Sequence, residues 1–322
     1  MSLGFMDSSK LRLVSGSVRQ RSSAPLAPLS QCLRPDRSTE NPRVLTRASG
    51  EILASQQQGH SIGQQLLAPP PPSPARQIPR ELDPLRMPEH VAIIMDGNSR
   101  WAKLRGLATD RGHEAGVHAL REIVAASSRL GIKILTVFAF STENWRRPTI
   151  EIQFLMQLFE RVISEDSMNI FTKGICVHFI GDLSRLPGTL RLLACQIQER
   201  TRHNKGLKLV VGLSYSGRQD LVQACKAVAA EVQRGSVDLD EIDESKLESK
   251  LLTTWDEEIS DPDLLIRTSG EKRLSNFMLW QLAYTELVFV PELWPDFGEN
   301  EYRVALAEYQ ERDRRFGRHQ NK

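Results

Sequence analysis

His90-Val-Ala-Ile-Ile-Met-Asp96-Gly-Asn-Ser-Arg-Trp101 joins an apolar run to an abruptly polar one. Val91–Met95 lacks the apolar/polar alternation of a half-buried strand, so it reads as a strand covered on both faces. Five more strand candidates follow, several of them near-continuous apolar runs: Ile134–Phe140, Cys176–Gly181, Lys208–Tyr215, Asp263–Arg267 and Thr285–Val290. Between them lie helical patterns at His113–Leu130, Thr149–Ser167, Leu190–His203, Gly217–Gln233 and Ser245–Leu252, and a charged helix from about Glu299 to Phe316 closes the chain. Repeated strand–helix alternation predicts a single α/β domain with a mostly parallel six-stranded sheet flanked by helices.

In open parallel sheets, ligands bind outside the carboxyl ends of the strands. That rule selects Asp96–Trp101, Ser141–Arg147, Ser214–Arg218 and Arg267–Ser275, all polar or glycine-bearing. In the first, a strand delivers Asp96 to its tip, Gly97 permits close backbone approach, and Arg100 offers a planar fork for phosphate oxygens. A carboxylate beside phosphate-binding groups is how proteins hold Mg²⁺, which shares few protein ligands with its substrate. An Asx-turn capping the next helix accounts for the same residues equally well. Arg267-Thr-Ser-Gly-Glu-Lys-Arg273-Leu-Ser275-Asn packs three cations and several hydroxyls into one loop, a composition suited to a multivalent anion.

Other segments carry less. His113 is placed at a helix start, where backbone N–H groups can bind anions, although a lone His is more often structural. Ile152, Leu155, Phe159 and Ile163 form a helical stripe that serves either as core or as one wall of an apolar cleft. Asp238-Leu-Asp-Glu-Ile-Asp-Glu244 looks like an acidic metal motif but sits between helices, where acids favour a helix N-terminus.

Of the 322 residues, 25% are charged and 40% hydrophobic, an ordinary globular balance, and no apolar run approaches bilayer-spanning length. The excess of Lys and Arg falls in residues 1–78, so the remainder carries no basic surplus of the kind nucleic-acid binding needs. Residues 1–78 are rich in Ser, Arg and Pro and poor in acids, which predicts a disordered transit peptide and linker, plastid ahead of mitochondrion. Residues 79–322 form the expected folded domain. No two of the four cysteines make a Cys-x-x-Cys pair, and Cys176, Cys195 and Cys225 read as small core residues in a reducing compartment.

His90–Trp101 resembles the first signature of the cis-prenyltransferases, the undecaprenyl and dehydrodolichyl diphosphate synthase family. Phe140-Ser-Thr-Glu-Asn-Trp145 is similar to the second. Asp263-Leu-Leu-Ile-Arg267-Thr-Ser-Gly-Glu271, Arg273-Leu-Ser275-Asn-Phe and Trp280-Gln-Leu-Ala-Tyr-Thr-Glu286-Leu resemble the C-terminal one, and Trp294-Pro-Asp-Phe297 follows as in the family. The match runs in order from about Met87 to Gly317, through motifs long enough to exclude coincidence.

The resemblance implies an enzyme condensing isopentenyl diphosphate with an allylic diphosphate of the farnesyl or geranylgeranyl class, with Mg²⁺ as cofactor. Asp96 would hold Mg²⁺ with help from Glu286. Gly97, Asn98 and Arg100 would bind the allylic diphosphate, with Trp101, Arg111 and His113 beside them. Asn144 and Arg147 would line the reaction centre, with Ser141, Glu143 and Trp145 nearby. Arg267, Arg273 and Ser275 would grip the diphosphate of isopentenyl diphosphate. An apolar tunnel would run between the sheet and helices 113–130 and 149–167, with Ala139 and Leu207 along or beneath it. The unshortened second helix favours a medium or long product. A homodimer is implied, with Arg315-Phe-Gly317 completing a site across it, as is peripheral membrane association through the lipid product.

The chain departs from the family pattern at three points. Thr109 stands where a phosphate-binding Arg is common, with Arg111 as the substitute; Ser216 replaces a Gly; Lys272 replaces a His. Two other readings compete. A non-catalytic partner subunit would be expected to lack Asp96. A nucleotide-binding α/β protein would be expected to carry G-x-G-x-x-G or a P-loop, and neither is present.

Overall fold

The computed structural model describes residues 77–256 and 258–314, with backbone only at 167–169, 171 and 172. The predicted transit segment and Arg315-Phe-Gly317 lie outside the described residues. Six strands form one sheet: β1 (His90–Ile94), β2 (Ile134–Ser141), β3 (Cys176–Ile180), β4 (Lys208–Tyr215), β5 (Leu264–Arg267) and β6 (Glu286–Phe289). Their order is β3-β4-β2-β1-β5-β6, and every neighbouring pair is parallel.

Alternation along β1 assigns its side chains to two cores. Val91 and Ile93 point into the larger one, with residues of α2 (Thr109–Leu130), α3 (Thr149–Thr172), α4 (Gly188–Thr201) and α7 (Glu299–Gln310). Ala92 and Ile94 point to the other face, with Tyr215, Leu265, Phe277 and Met278. α5 (Gly217–Gln233) follows β4, and α6 (Glu244–Glu248) follows it. Both faces of β1 are therefore dry, which explains its unbroken apolar run.

Two helix expectations need correction. Asn98–Leu104 forms a separate short helix, α1, hidden in the sequence because only Ala102 in it is buried. α2 begins at Thr109, four residues before His113, with Asp110 in its first turn. His113 therefore sits in the second turn, and the anion site expected from a helix start at that residue is not formed. The acidic stretch after α5 does cap helices: Asp238 and Glu241 form a capping box, and Asp243 accepts from the Lys246 N–H at the start of α6. Of the cysteines, Cys176 is buried, but Cys225 is exposed on α5, whose inner face is carried by Ala224 and Val228. Among the described residues, no helix is long and apolar enough to cross a membrane.

β1 opens on a buried histidine. His90 Nδ1 donates to the Ser260 carbonyl at 2.6 Å, so Nε2 accepts from the Thr136 hydroxyl at 2.7 Å and the ring is neutral. His178, on edge strand β3, stacks on Trp255 at 4.0 Å. Burial pushes both histidines down from 6.5 to about 4. Between those values the unfolded chain binds protons that the folded one refuses, so each histidine subtracts stability as pH falls through the window. Asp261, pushed up to about 6 by burial, acts in the opposite sense. Replacing His178 with Phe keeps the stacking and removes one titration. Chemical denaturation should show His178→Phe gaining on the parent by about 1.4 kcal/mol per pH unit as pH falls from 6.5 toward 4.

Candidate active site

β1 and β5 are adjacent and parallel, with Ile94 opposite Arg267. Their carboxyl ends meet where the chain connections diverge to either side of β1, the place where an open α/β sheet leaves a crevice. Asp96 lies two residues past β1 and Thr268 one past β5. The Asp96 N–H donates to Thr268 Oγ1 at 2.9 Å, and the Thr268 hydroxyl donates to the Asp96 carbonyl at 2.6 Å. This clasp fixes the Asp96 backbone. Gly97 then turns the chain at φ 113°, against Leu293, whose side chain a Cβ would meet at 2.9 Å. Only glycine adopts that conformation without strain.

The Asp96 carboxylate receives Arg267 Nη2 at 2.9 Å and lies 3.4 Å from Arg100 Nη2. Arg267 is 3% exposed; its other terminal nitrogen reaches Ser275 Oγ at 2.8 Å and the Arg273 carbonyl. Burial pushes the Asp96 carboxyl up, but the hydrogen bond and charge of Arg267, with Arg100, outweigh it and hold its pKa below the usual value. Asp96 is therefore ionised near neutral pH. Glu271 bridges the outer arginines: it lies 3.3 Å from Arg100 Nη1 and also accepts from Arg273. Arg100 donates to Ser269 as well, at 2.5 Å to its hydroxyl.

On the β2 side, Ser141 and Asn144 form a reciprocal cap, with Asn144 Oδ1 accepting from the Ser141 N–H at 3.0 Å. Arg147 donates to Glu151 at 3.0 Å. His113 Nε2 lies 3.7 Å from the same carboxylate; burial first, and then the charge of Arg147, push its pKa down. Asn98 Oδ1, His113 Nε2 and Arg267 Nε are buried atoms without a hydrogen-bond partner among the described residues. Such atoms ask for a polar ligand.

These groups ring one end of a cavity of about 540 Å³ between the sheet and helices α2 and α3. Asp96, Asn98, His113, Ser141, Asn144, Arg147, Arg267, Arg273 and Ser275 all line it, while its depth is walled by Leu120, Val124, Phe159, Ile163, Ile175 and Val211 among others. The helical stripe on α3 is thus largely a cavity wall: Leu155, Phe159 and Ile163 face it, as does Ala139, whereas Leu207 is packed in the core.

Other expected site residues fall elsewhere. Glu286 does not join Asp96: it pairs with Leu264 at the amino end of β5, three strand positions, about 10 Å, from the level of Arg267. Parallel pairing puts the start of β6 on the opposite rim. Arg111 is exposed and bound to Glu114 at 2.9 Å, because two residues of helix turn it about 200° from His113. Trp101 donates its indole N–H to Asp296 at 2.6 Å, with Arg105 over its ring. Trp145 donates to Ser214 at 2.9 Å behind the Ser141 turn, and Glu143 accepts from Asn276 at 2.9 Å on the rim.

Asn276, to which the sequence pattern gives no role, ties three loops together. Its side chain reaches Glu143, Ser216 and the Arg218 N–H, and its carbonyl accepts from the Gly217 N–H at 2.7 Å. The available signal was an Asn in a loop: Ser269, Ser275 and Asn276 have φ of 77°, 49° and 63°, a left-handed conformation that Asn tolerates best after Gly. Glu271 and Ser269, which hold the arginines, were likewise unassigned.

The profile of the family described as "Putative undecaprenyl diphosphate synthase" matches residues 94–317. The chain belongs to that family, the cis-prenyltransferases. Dehydrodolichyl diphosphate synthase 2 of Arabidopsis thaliana is 52% identical over 240 residues, 74% of this chain and 77% of that protein. Cis-prenyltransferase 4, chloroplastic, of Solanum lycopersicum is 48% identical over 75% of this chain and 77% of its own length. The crystal structure of lavandulyl diphosphate synthase from Lavandula x intermedia, in complex with dimethylallyl diphosphate, superposes with a TM-score of 0.71 at 43% identity, covering 73% of this chain and all of that one. This cis-prenyltransferase is therefore a transferase of prenyl groups, on the expected parallel-sheet fold.

Among the described residues no three metal-binding side chains cluster. Mg²⁺ needs no such cage, since it takes one or two carboxylates and completes its shell with water and substrate phosphate. One ionised Asp96 between phosphate-binding groups fits that mode.

The crevice depends on close packing beneath it. A Cβ on Gly116 would meet Asn98 Oδ1 at 2.3 Å and Trp294 at 3.0 Å, while Trp294 Nε1 donates to the Gly116 carbonyl at 2.8 Å. Gly116→Ala should cost about 1–3 kcal/mol, seen as a melting temperature several degrees lower.

Proposed function

We propose that this cis-prenyltransferase condenses isopentenyl diphosphate with an allylic diphosphate of the farnesyl or geranylgeranyl class, with Mg²⁺, to give a Z-polyprenyl diphosphate. The observation that carries the reading is the meeting of Asp96 with Arg100, Arg267 and Arg273 at the mouth of an apolar cavity of about 540 Å³. Anion and hydrocarbon binding share one entrance, which suits a substrate with a diphosphate head and a prenyl tail.

Arg267, Arg273 and Ser275 bind the diphosphate of isopentenyl diphosphate. Arg100, with the Gly97 backbone and Asn98, binds that of the allylic substrate, and His113 and Arg147 lie along its path. Asp96 would hold Mg²⁺, whose remaining positions suit water and diphosphate oxygens. The bound ion would neutralise charge on the departing diphosphate. Arg100 and Arg273 reach the diphosphates by exchanging Glu271, the carboxylate that holds both forks. Alkene and allylic carbon react because both heads are fixed, and preorganised charge at the leaving oxygen lowers the barrier. A proton is then lost from the former isopentenyl unit. The tail enters the cavity, where each methylene removed from water contributes about 0.8 kcal/mol.

A plastid address, ahead of a mitochondrial one, belongs to the same proposal and is supported by the chloroplastic tomato relative. Homodimerisation does too; Tyr284 and Leu287, 75% and 38% exposed beside outer strand β6, support it. Peripheral membrane contact follows from the lipid product.

Purified protein given farnesyl diphosphate, radiolabelled isopentenyl diphosphate and Mg²⁺ should incorporate label into a butanol-extractable product. No incorporation without a partner protein would refute a self-sufficient catalyst. Asp96→Ala should lower turnover about 10³-fold, with a melting transition that stays cooperative but falls to lower temperature because Arg267 loses its buried partner. Arg273→Ala should raise KM for isopentenyl diphosphate roughly 10- to 100-fold, as expected for the loss of charge-assisted hydrogen bonds.

A further inference from the structure

Helices α2 and α3 flank the cavity, which keeps their apolar faces apart along much of their length. On the solvent side they are joined by ionic contacts. Near the rim, Arg161 donates to Glu114 at 3.0 Å. Two turns further along α2, Arg121 donates through Nε to Asp166 at 2.8 Å and through Nη2 to Glu165 at 3.0 Å.

The second contact differs from the first in what it faces. Arg121 and Asp166 both line the cavity; Glu114 and Arg161 do not. Away from the diphosphate rim, Arg121, Asp166 and Lys173 are the charged residues among the described lining. Helix rise puts Arg121 about 12 Å along α2 from His113, and Asp166 about 22 Å along α3 from Glu151. The bridge therefore crosses the gap between the helices partway down the wall. Beyond it the cavity continues to Ile170, Ile175 and Ile197.

A hydrocarbon growing from the rim meets two kinds of surface there. Straight ahead is the apolar floor of β3 and α4. To the side is an ion pair with its carboxylate 17% and its guanidinium 36% exposed, solvated on its outer side. Passing between the helices would require the chain to part the pair and strip its remaining hydration, a cost that alkyl contacts do not return. Outward-facing Glu165, 53% exposed, gives Arg121 a second anchor.

We propose that the Arg121–Glu165/Asp166 bridge is a lateral gate between α2 and α3 that confines the growing chain and so caps product length. This inference rests on the proposed function and adds its length-determining residues. Lengthening stops when the tip reaches the floor with the gate shut; weakening the bridge lets the tip pass outward between the helices.

Two measurements on the full chain test it. The first is reversed-phase chromatography of the dephosphorylated products made from farnesyl and isopentenyl diphosphates. Arg121→Met, which keeps the stem and removes the charge, should shift the distribution longer by about one isoprene unit or more. Asp166→Asn should do so less strongly, since Glu165 remains. The exchange Arg121→Glu with Asp166→Arg should bring the distribution back toward that of the parent, a rescue that a purely structural role does not require.

The second measurement needs no turnover. Calorimetric titration with polyprenyl diphosphates of increasing length should show affinity rising with each unit and then levelling off, with the plateau displaced to longer chains in Arg121→Met. If Arg121→Met and Asp166→Asn fold normally but keep the parental product distribution and plateau, there is no gate. If the parent binds no prenyl diphosphate of any length, the proposed function itself fails, and the gate with it.

Discussion

The ion pair of Asp96 with Arg267 is the constraint from which the rest of the site follows. Two parallel strands, neighbours in the sheet, end level with one another; Arg267 closes one, and Asp96 lies two residues past the other. Arg267 is almost wholly buried, and an unpaired buried guanidinium costs several kcal/mol, so its partner is effectively required. The Thr268 clasp sets the spacing, and the loop beyond Arg267 curls back so that Ser275 and the Arg273 carbonyl occupy its other nitrogen. Asp96 thus has a structural duty before any substrate arrives, and the same contacts that satisfy Arg267 hold its carboxyl below the ordinary pKa.

The cavity beside this pair is an energetic concession. A 540 Å³ space walled by Leu, Ile, Val and Phe forgoes dispersion contacts that a close-packed core would make. The fold carries that loss because the central strands are covered elsewhere: α7, Trp294 and Phe297 seal one end of the same face, and Tyr215, Phe277 and Phe138 pack edge-on and stacked on the other. Stability is concentrated around β1, and the space under α3 is left for a tail.

Much of this was legible in the residues. Strands buried on both faces write themselves as unbroken apolar runs, so all six strands were found to within a residue or two. The polar segments after β1, β2 and β5 marked the rim by the carboxyl-end rule alone. What failed did so for specific reasons. α1 has one buried residue and hence no stripe to read. The metal role that the resemblance implies for Glu286 does not fit, because parallel pairing sends the start of β6 to the far rim. Arg111 was judged by separation along the chain, and a helix turns such neighbours away from each other. Cys225 looked apolar in context but lies off the inner face of α5. Asn276 and Glu271 act across loops, and no local pattern announces a residue that joins three turns.

The connection from β5 to β6 contains no regular helix, unlike the strand connections before it, which all carry one. Its backbone groups are settled singly, with Ser269 N–H on the Glu292 carbonyl, Gly270 N–H on Val290, and the Asn276 carbonyl receiving Gly217. One segment therefore both stitches an outer strand to the sheet and presents Arg273 and Ser275 to the rim. Loosening that seam at either end unseats the other, so durability and catalysis at this edge are inherited together, and variation here meets two kinds of selection at once.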